Sequence, residues 1–152
     1  MPAFETQQLG TIIYDPDAAI EFPHGLPGFD HLHQFAAVRL PKTDPLVYLQ
    51  SLEDPAVCFL TAPVAAVCPD YRLEVSAEDL EAVGLAAARR PAIGRDVLCL
   101  AVLSLREGGP RANLLAPVVV NLRNRKAVQA VSPRGDYSHQ YALAPEEAAV
   151  CS

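Results

Sequence analysis

The chain has 152 residues and a mass of 16.3 kDa, and its 51% hydrophobic and 20% charged residues match one globular domain, which excludes disordered and collagen-like chains. Its N-terminus lacks a basic segment followed by an apolar core, and no apolar run approaches the ~20 residues that span a bilayer, so we expect a cytoplasmic protein. A net charge of −6 opposes sequence-independent binding to nucleic acid.

Short runs of β-forming residues, separated by proline and glycine, predict an all-β fold, mainly antiparallel and barrel-like, with one short helix. We expect a single domain over residues 1–152, with a disordered tail after about residue 142. The predicted strands cover residues 11–14, 35–40, 47–52, 57–61, 71–75, 97–105, 118–122 and 126–131.

The segment Phe22-Pro-His-Gly-Leu-Pro-Gly-Phe29 predicts a shaped loop between the first two of these strands. Proline restricts φ and removes a donor, whereas glycine permits a positive φ, so the segment forms consecutive tight turns instead of a helix or a regular strand. We expect Phe22 and Phe29 to anchor this loop to the core.

Polar residues after this loop are candidates for chemistry. His31 and His33 would share one face of a strand, as two metal ligands require, but no cysteine or carboxylate pair is placed to complete a four-ligand site. Glu53 and Asp54 precede a proline in a predicted turn, where carboxylates commonly bond backbone amides. We therefore expect no enzyme, no metal and no cofactor, and we keep a metal-dependent enzyme using His31 and His33 as an alternative.

Two later strands have distinct patterns. Residues 71–75 alternate strictly, which predicts a strand whose Arg72 and Glu74 face water. Residues 97–105 are almost continuously apolar, which predicts a central strand covered on both faces. Pro117 lies in another apolar run and cannot donate to a β-ladder, so it marks an edge or a bulge.

One helix is predicted between these strands, over residues 77–83. Ser76 can cap its free amides, Asp79 suits the third helical position, and Gly84 ends it.

Residues 121–126 predict a hairpin in which Asn124 adopts the left-handed conformation of a tight turn. Basic side chains would then crowd its tip and could contact phosphates, which makes a direct nucleic-acid binder a second alternative. These side chains are Arg123, Arg125 and Lys126.

The four cysteines, at positions 58, 68, 99 and 151, show no Cys-x-x-Cys spacing. A domain of this size does not need disulfides to fold, so we expect most of these cysteines to be buried thiols.

Charge is segregated along the chain. Residues 44–81 contain eight acidic residues against Arg72, whereas residues 89–134 contain nine basic residues against Asp96 and Glu107. Such segregation either cancels across the folded surface or leaves patches that select partners.

Four blocks of the sequence resemble the bacterial flagellar assembly factor FliW family in order and spacing, and the similarity covers nearly the whole chain as far as about Tyr141. Residues 62–67 depart from the family pattern of Asp-Pro followed by aromatic residues. The four blocks are Phe22-Pro-His-Gly-Leu-Pro-Gly-Phe29, Leu49-Gln-Ser-Leu-Glu-Asp-Pro55, Pro69-Asp-Tyr71 and Asn113-Leu-Leu-Ala-Pro-Val-Val-Val-Asn121.

The resemblance implies a cytoplasmic, non-enzymatic, β-rich regulator with two competing partners, newly made flagellin and the RNA-binding translational repressor CsrA. In that scheme the protein antagonises CsrA, and flagellin takes the protein away, so that flagellin limits its own synthesis. Direct contact with nucleic acid or a membrane is not implied.

Within the resembling blocks we predict partner contacts at Gln50, Glu53, Asp54, Asn113 and Asn121. The acidic stretch 44–81 suggests a further hypothesis, in which it lies near the RNA-binding surface of CsrA and repels phosphates. The acidic residues assigned to this effect are Glu53, Asp54, Asp70 and Glu74.

Overall fold

The computed structural model describes residues 1–86 and 90–143. Its strands are β1 Ala3–Glu5, β2 Thr11–Ile13, β3 Ile20–Glu21, β4 Gln34–Val38, β5 Val47–Ser51, β6 Cys58–Pro63, β7 Val97–Arg106, β8 Gly109–Asn121, β9 Ala127–Gln129 and β10 Tyr141–Ala142. Two α-helices, α1 Val64–Val67 and α2 Ala77–Ala82, and two 3-10 helices, Pro16–Ala18 and Pro41–Thr43, complete the described elements.

The strands β3 to β8 form one antiparallel sheet in chain order, and β8 also pairs with β9 and β10. The sheet nearly closes on itself because the Glu21 amide donates to the Arg125 carbonyl over 2.9 Å, and Glu21 and Lys126 form a parallel bridge. Strands β1 and β2 make a separate hairpin. The predicted all-β, mainly antiparallel, barrel-like fold is confirmed.

Strand β7 separates two apolar clusters. Leu100 belongs to a cluster with residues of β3, β4, β5 and β8, including Phe22 and Phe35. Cys99 and Ala101 belong to the other, which α1 and residues 112–119 cover. Because neighbouring residues of β7 point into different clusters, this strand is covered on both faces, as its apolar run predicted.

Both α-helices are short. Helix α2 forms as predicted, since the Ser76 hydroxyl accepts from the Asp79 amide over 3.1 Å and Gly84 follows with a φ of 79°. Helix α1 was not predicted. Pro63 occupies its N-cap with a φ of −54°, and two alanines favour the single turn that follows.

The predicted strand at residues 71–75 is wrong, because this segment pairs with no strand. Side chains hold it instead: the Tyr71 hydroxyl donates to the Leu114 carbonyl over 2.7 Å, and the Tyr71 ring packs on Tyr137 with centroids 4.3 Å apart. Arg72 is exposed as expected, and Leu73 is buried. Glu74, which was expected to face water, is half-buried like Tyr71 and Val75. Alternation therefore predicted the burial of only part of this segment and did not predict its backbone bonding.

The hairpin between β8 and β9 is confirmed, but the left-handed residue is Arg125, with a φ of 62°, and not Asn124. The Asn124 side chain is engaged elsewhere, since it donates to the Val83 carbonyl and accepts from the Lys126 amide. Pro117 lies where the pairing of β8 with β7 shifts register, which confirms the predicted bulge.

The cysteines differ in state. Cys58 and Cys99 are free thiols, and burial raises the pKa of Cys99 to about 12. Cys68 is fully buried and disulfide-bonded, so the expectation of plain thiols does not hold at this position. Cys151 and the predicted disordered tail lie outside the described residues, apart from the last residues before 144. Among the helices of the described ranges, none is long and apolar enough to cross a membrane.

Candidate protein-binding surface

The loop 22–29 is anchored by two aromatic side chains. Phe22 is fully buried and meets Phe35 edge-on at 5.2 Å, and Phe29 meets Phe59 edge-on at 5.3 Å. Two successive turns are closed by hydrogen bonds, one from the Gly25 amide to the Phe22 carbonyl and one from the Phe29 amide to the Leu26 carbonyl. The predicted anchors and tight turns are confirmed, so this loop has a defined shape.

Gly25 is the tightest point of the loop. Its φ is +68°, and a Cβ placed on it would lie 2.4 Å from the Cα of Asp30. Gly28 also has a positive φ, of +82°, but a Cβ there would have nothing within 4 Å. Glycine is therefore required at position 25 for both its positive φ and its lack of a Cβ, whereas at position 28 it is favoured only for its positive φ.

The Glu53 carboxylate joins the turn between β5 and β6 to the end of this loop. It accepts hydrogen bonds from the backbone amides of His33 and Gln34. These bonds to Gln34 and His33 favour the ionised form and hold the pKa of Glu53 below its ordinary value of 4.5. Glu53 itself is exposed at the surface. Its carboxylate is therefore both a surface charge and a structural link.

Gln50 supports the same turn from inside. Its side chain is 0% exposed, and its amide nitrogen donates to the carbonyls of Ser51, Pro55 and Val57 over 3.0, 3.4 and 3.1 Å. Its amide oxygen has no hydrogen-bond partner among the described residues. Gln50 therefore shapes the turn that carries Glu53, and its contact with a partner stays a prediction.

Three other acidic candidates lie on the surface with different degrees of engagement. Asp54 is half-buried and accepts from the Ala56 amide over 2.9 Å. Glu74 is paired with Arg134 over 3.4 Å. Asp70 is exposed and makes no hydrogen bond or ion pair within the described part of the chain. The Glu74–Arg134 pair joins the acidic and basic stretches, so the charge segregation of the sequence is partly cancelled in space.

The two asparagine candidates, Asn113 and Asn121, hold backbone in place. Asn113 accepts from the amides of Leu115 and Ala116, which closes the bulge of β8. Asn121 is 2% exposed, donates to the Val83 carbonyl over 2.8 Å and accepts from the Arg123 amide. It thus fastens the end of α2 to the β8–β9 hairpin. Neither role is visible in a linear sequence, because each depends on contacts that the fold creates.

The two histidines do not share a strand face. His31 is exposed in a turn, whereas His33 is half-buried and its Nδ1 lies 2.8 Å from the Phe22 carbonyl. Within residues 1–86 and 90–143, no group of three or more His, Cys, Asp or Glu residues could hold a metal ion. The geometry assigns His33 to the closure of the loop.

The basic side chains of the hairpin tip also differ in their exposure to solvent. Arg123 and Lys126 are exposed, while Arg125 is half-buried and its carbonyl takes part in closing the barrel. Two exposed cations at one tip form a small footprint compared with the several phosphate contacts of typical nucleic-acid binders.

We predict that Glu53→Gln lowers the free energy of unfolding at pH 7 by less than about 1 kcal/mol, because the bonds are charge-assisted but solvent-exposed. The folded-state pKa of Glu53 is depressed, so its stabilising effect is present above pH 4.5 and is lost as the pH falls through the folded-state pKa. Urea unfolding of both proteins between pH 7 and pH 3 measures this. Asp70→Asn serves as the control, and a difference that stays constant with pH would contradict the assignment.

Comparisons with known proteins identify the family of this chain. The family model described as FliW protein matches residues 3–143. The flagellar assembly factor FliW of Pseudothermotoga lettingae is 34% identical over 91% of this chain and 86% of its own length, and that of Thermotoga neapolitana is 32% identical over 91% of each. A crystal structure of the flagellar assembly factor FliW superposes with a TM-score of 0.81 at 27% identity, over 96% of this chain and 99% of the other. The resemblance of the four sequence blocks is confirmed, and this chain belongs to the FliW family of flagellar assembly factors.

Proposed function

We propose that this protein is a cytoplasmic, non-catalytic regulator that binds flagellin and antagonises a CsrA-type translational repressor, so that the level of flagellin limits its own translation. The observation that carries the proposal is the family match over residues 3–143. The relatives are named as flagellar assembly factors.

The form of the surface supports a binding role. The loop 22–29 and the turn after β5 are held by buried aromatic rings, by Gln50 and by Glu53, so their shape exists before a partner arrives. A preorganised surface loses less conformational entropy on association than a flexible one. Recognition by loops on a rigid β-scaffold needs no reactive side chain.

For the antagonism of CsrA we keep the hypothesis of charge repulsion. Asp70 and Glu53 are exposed carboxylates of the acidic stretch, and they would oppose RNA phosphates if CsrA docked beside them. The effect must weaken with salt, because the Debye length is about 8 Å at physiological ionic strength. Glu74 is expected to contribute less, since Arg134 already neutralises it.

The test is calorimetric titration of the purified protein with flagellin monomer and with CsrA, separately and in competition. We expect each partner to bind alone and each to weaken the other by tenfold or more. Two partners that bind together without mutual effect, or a flagellin that does not bind, would overturn the proposal.

The charge hypothesis has its own test, a variant in which Glu53, Asp54, Asp70 and Glu74 are changed to their amides. We expect it to bind CsrA but to displace RNA poorly at low salt. A control variant removes the same number of negative charges at other exposed positions and should behave as the unaltered protein. These control positions are Glu5, Asp30, Glu107 and Asp136. Equal displacement of RNA by both variants would exclude the repulsion.

A further inference from the structure

A groove lies beside strand β4, and none of its lining residues belongs to the loop 22–29. It has a volume of about 300 Å³, and its two walls are formed by residues 13–15, 18 and 19 and by residues 36–39. Ile13 in the first wall is 69% exposed, so it presents apolar surface to the groove. The residues that line the groove include Asp15 and Arg39, and neither takes part in an ion pair within the described part of the chain.

One side of the groove is a free strand edge. The Leu52 amide donates to the Gln34 carbonyl, and β4 continues its pairing with β5 through Ala36 and Val38. Because hydrogen bonding alternates along an antiparallel ladder, Ala37 and the following Arg39 direct their backbone groups away from β5. Strand β3 pairs with β4 only at residues 34 and 35, and no backbone partner meets Ala37 or Arg39 on this side among the described residues.

The other side of the groove begins at the end of strand β2, which also has a free edge. In the β1–β2 hairpin, the Tyr14 amide donates to the Pro2 carbonyl and the Thr6 amide donates to the Gly10 carbonyl. The same alternation then directs the backbone groups of Thr11 and Ile13 away from β1. Ile13 therefore contributes to the groove and belongs to a strand edge without a backbone partner in the described ranges.

The chemistry of the groove selects its occupant. Unpaired N–H and C=O groups along a strand edge are complementary to an extended backbone. Residues 13–15, 18 and 19 face this edge across a space of about 300 Å³, which suits a short extended segment better than the edge of a folded sheet. Ile13 and Ala18 offer apolar contact. The Asp15 carboxylate accepts a hydrogen bond from the Asp17 amide, but neither it nor Arg39 forms an ion pair among the described residues, so the two charges suit a segment that carries a basic and an acidic side chain.

We propose that this groove binds an extended segment of a partner polypeptide, which adds as a strand to the free edge of β4. The inference rests on the proposed function only in the choice of flagellin as the partner that supplies the segment. The site lies on different residues from the partner contacts predicted in the sequence blocks.

The experiment measures amide hydrogen exchange by NMR in the full chain, alone and with purified flagellin monomer. Exchange of the Ala37 and Arg39 amides is expected to slow at least tenfold on binding, because each gains a backbone acceptor or is shielded from water. In parallel, Ala18→Arg fills the groove from an exposed position and is expected to weaken flagellin binding at least tenfold.

The matched control is Ala66→Arg, at an exposed position of helix α1, which should leave binding unchanged. Thermal unfolding of both variants establishes that they are folded. Flagellin that binds Ala18→Arg as tightly as the unaltered chain, or that leaves the Ala37 amide unprotected, overturns the groove but leaves the proposed function standing. Protection of Ala37 by self-association of the chain also overturns it. Flagellin that fails to bind the unaltered protein overturns both.

Discussion

Gly25→Ala is expected to destabilise the protein by about 3 kcal/mol, the sum of a left-handed backbone penalty and a steric overlap. A Cβ at this position would lie 2.4 Å from the Cα and 2.7 Å from the carbonyl carbon of Asp30. Both atoms are backbone, so no rotation of a side chain can relieve the overlap. Urea unfolding followed by circular dichroism measures the loss. The same variant should lower the affinity for any partner that binds the loop 22–29.

Gly28→Ala is the matched control for this substitution. It adds the same methyl group at a similar φ, of +82°, but into open space. Only the backbone penalty remains, so we expect a loss of about 1 kcal/mol. Equal losses for the two variants would contradict the close approach of Gly25 to Asp30.

Gln50→Glu is expected to cost about 3 kcal/mol at pH 7, although it replaces one nitrogen by one oxygen. The Gln50 amide donates to three carbonyl oxygens in a fully buried position, and a carboxylate there would oppose them. Folding must then either bury the charge or take up a proton. The penalty should therefore be smaller near pH 4, where a glutamic acid is partly protonated in the unfolded chain as well.

Gln34→Glu provides the comparison, because Gln34 is exposed and its side chain makes no hydrogen bond among the described residues. Its effect on stability should stay within about 0.5 kcal/mol at either pH. If Gln50→Glu were equally mild, Gln50 would not be the internal support of the turn.

Much of the fold could be predicted from local patterns. An apolar run predicts strand β7, and an N-cap residue with a terminal glycine predicts helix α2. Prolines and glycines between two aromatic anchors predict the shape of the loop 22–29. In each case the physical cause lies within about ten residues of sequence. These are also the features whose predicted and observed positions agree to within one or two residues.

The errors arose where distant contacts decide the structure. Residues 71–75 alternate like a strand, but Tyr71 and Arg72 bond to Leu114 and Tyr137, 43 and 65 residues away. Asn124 suits a left-handed turn, but the Val83 carbonyl engages its side chain. A single sequence contains no signal for either contact.

The candidate surface shows the same limit. The sequence blocks contain the predicted partner contacts, and the structure shows that several of these side chains form hydrogen bonds within the chain itself. Gln50 and Asn121 are buried polar side chains that satisfy backbone groups. Burial of a polar residue depends on its neighbours in space, so composition and spacing cannot distinguish it from an exposed one. The groove beside β4 left no sequence signal, because it arises from strands that stop pairing.

Among the described residues, the barrel closes between β3 and the β8–β9 hairpin through very few backbone interactions, the Glu21–Arg125 hydrogen bond and the Glu21–Lys126 bridge. Because few hydrogen bonds close the barrel at this seam, we expect local opening there to require less free energy than unfolding of the rest of the sheet. The amide hydrogen of Glu21 should accordingly exchange with solvent faster than the amide hydrogens of β7. A ligand that binds across this seam would stabilise the closed barrel against local opening.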